Sequence, residues 1–148
     1  MLVLMIAERF NSERLLREYD LLRWTLLSLR LKAHGMERLQ SLGAYWTDSM
    51  NLLPPSPVCG EWNKLQAREM AIGVQELLRE EYDRFIYVGC RVGQAFRGHP
   101  VKVLQHDDKW IVLPHPSGRN MWWNQQSNVE EAKRCLREHG WTLPSASE

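Results

Sequence analysis

The sequence predicts an α/β fold, a three-layer α/β/α sandwich built on a mostly parallel four-stranded central sheet. Three observations predict it. Continuous apolar runs at residues 2–6, 85–88 and 110–113 read as strands covered on both faces. Between them lie segments whose apolar residues recur at spacings of three and four, the stripe of an amphipathic helix. Glycines and prolines mark the breaks, so strand and helix alternate along the whole chain.

In order, residues 2–6 form the first strand, which empties into Ala7, Glu8, Arg9, Phe10 and Asn11. Asn11 or Ser12 can cap the following helix, where Leu15, Tyr19, Leu22, Leu26 and Leu29 make one apolar stripe. Gly35 is expected to end it, leaving a shorter helical piece over 36–42. A weaker strand candidate spans 44–53 and runs into the Pro54, Pro55, Ser56, Pro57 loop. Asn63 can cap the next helix, with Ala67, Met70, Ala71, Val74, Leu77 and Leu78 on its buried face. After the third strand, Gly89 and Gly93 permit a tight strand-to-helix turn and close helix–sheet packing, and Gly98 stops that helix. Residues 101–105 and 109–113 either pair as a hairpin across His106, Asp107 and Asp108, or only the second is a sheet strand. Ser127 and Glu130 read as a capping box opening the last helix, which Gly140 closes; residues 144–148 are expected to fray.

With 148 residues the chain is long enough for one domain, residues 1–148, with a proper core. Its 44% hydrophobic and 25% charged content is that of a soluble globular protein. A net charge of +1 gives no global attraction to nucleic acid, so any such binding must rest on a local basic face. Cys59, Cys90 and Cys135 form no C-x-x-C pair, which suggests neither a zinc site nor an iron–sulfur cluster and points to a reduced, cytoplasmic context. The apolar residues 1–7 are too short to cross a membrane, and no basic stretch precedes them; neither a signal peptide nor a membrane partner is expected. Seven tryptophans suggest a surface that binds something flat, although core packing can absorb several.

Chemistry-bearing residues gather in loops that follow strands. The first loop offers Glu8, Arg9 and Asn11: a carboxylate that can activate water, or an ion pair that caps the sheet. Asn51 closes the second strand candidate, where its amide can either read a pyrimidine edge or cap the turn into the prolines. Pro114 and Pro116 hold His115 in extended or turn geometry at the end of a buried strand. Arg119 between Gly118 and Asn120 reads as an exposed cation for a phosphate. Trp122 and Trp123 either stack on bases or belong to the core. Gly89 to Gly93 lacks the pattern of a nucleotide-binding loop. His34, His99, His106 and His139 are scattered in polar segments and receive no role.

Taken together, these loops resemble the uracil-DNA glycosylase superfamily across residues 2–138. The resemblance rests on the strand-loop through Asn11, on Asn51 in Met-Asn-Leu-Leu-Pro, on Tyr87 to Phe96 as the strand–Gly–helix segment, and on His115-Pro116-Ser117. It implies a monofunctional DNA glycosylase that flips out a uracil-like or modified pyrimidine and leaves an abasic site. No metal or cofactor is implied, the partner is DNA, and the chain is expected to act as a monomer. His115 would stabilise charge on the departing base, with Glu8 and Asn11 completing the catalytic set. Asn51, Phe10 and Arg9 would bind the base. Ser117, Gly118, Arg119, Asn120, Trp122 and Trp123 would touch DNA.

The chain also departs from the family pattern. Arg9 stands where many members carry the Asp or Asn that positions water, and Glu8 before it can take that role. The cysteines of the iron–sulfur branch are missing, and the helical segment 13–32 replaces the usual Gly-x-Pro-Phe stretch, so the substrate need not be plain uracil. Two other readings follow: a glycosylase fold that binds modified DNA without cutting it, and an enzyme acting on nucleosides or nucleotides.

Overall fold

The computed structural model describes residues 1–7, 33–52, 63–116 and 120–142. In chain order these form β1 (Val3–Ala7), α1 (Ala33–Ser41), β2 (Asp48–Asn51), α2 (Lys64–Leu78), β3 (Arg84–Val88), α3 (Cys90–Arg97), β4 (Trp110–Leu113), a 3-10 helix (Met121–Asn124) and α4 (Gln126–Glu138).

The strands hydrogen-bond in the order β2-β1-β3-β4 and all pairs are parallel. Every residue of β1 and of β4 is buried, which follows from their unbroken apolar sequence: neither face of such a strand can be left to water. Alternate side chains therefore feed two cores. Leu4, Ile6, Met50, Tyr87, Trp110 and Val112 pack on one face beneath α2 and α3, through Ala67, Ala71, Val74, Val92 and Phe96. Val3, Met5, Ile86, Val88, Ile111 and Leu113 pack on the other with Leu39, Ala132, Leu136 and Trp141. Two faces, each covered by helices, make the three layers that the sequence predicts. Each fully buried Leu, Ile or Met contributes about 1.5–3 kcal/mol, so the sheet interior dominates the stability.

Close packing of α3 depends on Gly93. A Cβ there would lie 2.7 Å from Val101 Cγ2 and 3.1 Å from Val112 Cγ2. The ring of Phe96 stacks on Tyr87, centroids 5.0 Å apart. Arg68 of α2 donates to the Ala95 and Phe96 carbonyls (2.7 and 2.8 Å), satisfying acceptors that the end of α3 leaves open.

Several boundaries differ from the sequence reading. Gly35 lies inside α1 and does not end a helix; the left-handed residue that stops the chain is Gly43, φ 84°. Strand β2 begins only at Asp48, within the broader 44–53 candidate. Leu77, placed on the buried face of α2, is 46% exposed. Asn63 does cap α2, its side chain accepting from the Gln66 N–H at 3.0 Å. Ser127 is no N-cap: α4 begins at Gln126 with Gln125 as its cap residue. Gln125, extended at φ −105° and ψ 115°, separates the 3-10 helix from α4 and takes the cap position, so Ser127 falls within the first turn and Glu130 accepts from Gln126 Nε2 instead. Of the two hairpin alternatives, only the second segment is a sheet strand. The first coils at Lys102–Gln105, where the Gln105 N–H donates to the Lys102 carbonyl and Leu104 takes φ 69°. It still pairs with β4 without becoming a strand: the Leu104 N–H donates to the Val112 carbonyl, the Val112 N–H to the Gln105 carbonyl, and the adjoining His106 bridges Ile111.

Candidate functional site

Parallel strands send all their carboxyl ends to one edge of the sheet. The chain steps from β1 to β2 on one side and then crosses to β3 on the other. The topological switch therefore lies between β1 and β3, where open α/β sheets leave a crevice. Ala7 and Asn51 are register partners at that edge, and the Leu52 N–H donates to the Ala7 carbonyl at 2.7 Å. Val88 pairs with Leu113, and the Gly89 N–H donates to the Leu113 carbonyl at 2.7 Å. The end of β2, the exit of β3 and the Pro114–His115 exit of β4 thus share one rim, together with the end of β1, which Glu8 follows in sequence.

His115 is the best-defined group there. Gly89 adopts φ 94° and ψ 148°, a conformation essentially reserved for glycine. A Cβ on Gly89 would meet His115 Cβ at 3.5 Å and His115 Cδ2 at 3.7 Å. The half-buried imidazole thus lies beside the turn at the mouth of β3, at ordinary contact distance from where that Cβ would stand. Its backbone is fixed from the other side. Asn120 Nδ2 and Trp123 Nε1 both donate to the His115 carbonyl, each at 2.8 Å. An Arg38 guanidinium nitrogen donates to the next carbonyl, Pro116, at 3.3 Å, and Arg38 stands 5.6 Å from the centre of the Trp123 ring. Proline restriction on both sides and three donors on two adjacent carbonyls give a loop with little freedom.

Asn120 and Trp123 therefore act inward, holding the histidine loop. The Asn120 side chain also accepts from the Trp122 N–H at 3.2 Å, capping the 3-10 helix. Trp122 and Trp123 meet edge to face at 4.9 Å and pack partly against the second core. What faces solvent on this arm is Met121, 73% exposed. The sequence does not mark Arg38, which lies 78 residues from its partner Pro116, a separation that local pattern cannot bridge.

Cys90 opens α3 beside Gly89, but it is no activated nucleophile. Burial pushes its thiol pKa up, against a smaller lowering from the Val103 backbone. A local basic face does exist. Lys64, Arg68, Arg91 and Gln94 line a cleft of about 100 Å³ between α2 and α3, with Lys64 and Arg91 in the first turns of those helices. Among the described residues, the one group of His, Cys, Asp or Glu side chains close enough to share an ion lies elsewhere, at His106, Cys135 and His139.

Glu8, Arg9, Phe10, Asn11, Ser117, Gly118 and Arg119 lie outside the described residues, and of Asn51 the structure fixes the strand position. No helix among the described residues is long and apolar enough to cross a membrane. The chain matches no family model and no curated protein.

Proposed function

We propose that this protein is a DNA N-glycosylase acting on a flipped-out uracil-like or modified pyrimidine. The observation that carries the reading is His115, pinned by its own carbonyl against a side-chain-free turn, on the sheet edge that also holds the end of β2 at Asn51. Cleavage breaks the bond between sugar C1′ and the base nitrogen and forms one from water oxygen to C1′. The water proton passes to Glu8, with Asn11 helping to orient the water. The base departs as an anion that His115 stabilises. A fixed donor aimed at such developing charge lowers the barrier by about 2.7–4 kcal/mol, and a loop with little freedom needs no reorganisation to supply it.

Asn51, Phe10 and Arg9 bind the extruded base, whose extrusion costs about a few kcal/mol. Ser117, Gly118 and Arg119 contact backbone phosphates, and Trp122 and Trp123 belong to the same DNA-binding arm. Exposed Met121 is the apolar group on the same arm suited to fill the gap in the stack. The cleft of Lys64, Arg68 and Arg91 offers the local positive charge that a net +1 chain otherwise lacks.

The test is incubation with oligonucleotides carrying uracil, hydroxymethylated or glycosylated pyrimidines, followed by alkaline cleavage of abasic sites. Cleavage of at least one substrate, reduced about 100-fold or more by His115→Ala, is expected. A second reading, modified-DNA binding without excision, is favoured by Arg9 in place of a water-positioning side chain. Tight binding to a modified duplex with no abasic product, unchanged by Glu8→Gln, selects it.

A further inference from the structure

We propose that His106, Cys135 and His139 form a binding site for one Zn²⁺ ion, remote from the His115 rim. Cys135 and His139 stand four residues apart at the end of α4, which places them on one helix face. His106 comes from the segment before β4 and is bridged to Ile111. One ligand atom from each side chain lies within 4.8 Å of the others. Cys135 Sγ is 4.0 Å from His106 Nδ1, and the two imidazole centroids are 4.1 Å apart, tilted by 45°. Bonds of about 2.0–2.1 Å to nitrogen and about 2.3 Å to sulfur draw the donors of a tetrahedral ion to roughly 3.3–3.7 Å of one another. Reaching that range from 4.8 Å asks for a movement of about 1 Å.

The setting of His106 suits a ligand. His106 Nδ1 lies 2.8 Å from the Leu104 carbonyl, which can only accept, so the proton sits on Nδ1 and Nε2 is the ligating nitrogen; the 4.0 Å to Cys135 Sγ locates the His106 ring through its other nitrogen. Leu104 presents that carbonyl from φ 69°, a strained conformation for a side-chain-bearing residue.

One thiolate and two imidazoles form a borderline-soft set that suits Zn²⁺ and rejects Ca²⁺ and Mg²⁺, which take oxygen ligands. Binding replaces the thiol proton, which leaves to solvent, with a Zn–S bond; water fills the fourth position. His139 is exposed and gives the ion a way in. The ion would tie the 104–107 segment to the end of α4, joining His106 to Cys135 across 29 residues. Sequence inspection misses the site because only Cys135 and His139 are close in sequence.

The test uses the full chain, stripped with chelator, titrated with Zn²⁺ against a chromogenic chelator and with Co²⁺ by absorption spectroscopy. Expected are one equivalent of Zn²⁺ and, with Co²⁺, a thiolate charge-transfer band with the visible bands of a tetrahedral ion. Cys135→Ser should abolish the charge-transfer band, Cys90→Ser should leave it, and His139→Ala should weaken Zn²⁺ binding roughly tenfold or more. Zn²⁺ should raise the Tm of the parent chain by several degrees and that of Cys135→Ser by none. If Cys135→Ser fails to fold, exposed His139→Ala carries the test alone. No saturable binding, binding of Cu²⁺ without Zn²⁺, or full affinity in His139→Ala overturns the proposal.

Discussion

Gly89 is where conformation and chemistry meet on a single residue. A side chain there must accept φ 94° and ψ 148°, and its Cβ would touch the His115 ring at ordinary contact distance. Gly89→Ala should lose about 1–3 kcal/mol in urea unfolding, and excision should fall further than that stability loss explains. The carbonyl of His115 offers a subtler probe. Trp123→Phe keeps the ring but removes one of its two donors, at about 1 kcal/mol. Asn120→Asp keeps the oxygen that caps the 3-10 helix but sets a carboxylate against the same carbonyl. If both residues position the histidine, each variant lowers kcat with KM nearly unchanged; a change in KM alone would make them DNA contacts instead. His115 itself was legible as a residue of interest, because two flanking prolines after an apolar run are a local signal. Its restraints were not, since Arg38 and Gly89 approach only through the tertiary fold.

At the scale of elements, the apolar strands and the α2 cap were readable because each depends on neighbours a few residues away. The misread boundaries share a cause: another element overrode the local signal. Ser127 had the right spacing for a capping box, but the chain leaves the 3-10 helix through the extended Gln125, and α4 starts from there. Gly35 looked like a helix stop, yet the chain stays helical through it from Ala33 to Ser41. The packing of α3 makes a sharp prediction. Gly93→Ala introduces a methyl within 2.7 Å of Val101 and should cost about 1–3 kcal/mol by overpacking, read as a lower urea midpoint with an unchanged slope. Two tyrosines set the alkaline limit. Burial pushes Tyr87 from 10.0 up to about 12, and burial together with the hydrogen bond to Asp48 raises Tyr82 as well. The folded state then holds these protons more tightly than the unfolded state. The resulting stabilisation is whole below pH 10 and is lost between pH 10 and about 12. Thermal melting across that range should show Tm falling in the parent chain, with a shallower fall in Tyr87→Phe.

Across the whole molecule, the two-sided burial of β1 and β4 requires covered faces, and the observed cores supply them with α2 and α3 on one side and α1 and α4 on the other. The alternation of strands and helices carried that information in full. Strand order was not readable from periodicity, because no local pattern records that β1 sits between β2 and β3. That order gives the carboxyl edge its switch point and brings the ends of strands distant in sequence to one rim. The central claim is that this rim hydrolyses a glycosidic bond with His115 at the departing base. Mass spectrometry of the products from a single-turnover reaction on a modified-pyrimidine duplex tests it most directly. The account predicts free base and an intact abasic strand, with the rate falling about 100-fold or more in His115→Ala. Free base released at the same rate by His115→Ala, or no free base from any pyrimidine, would contradict it.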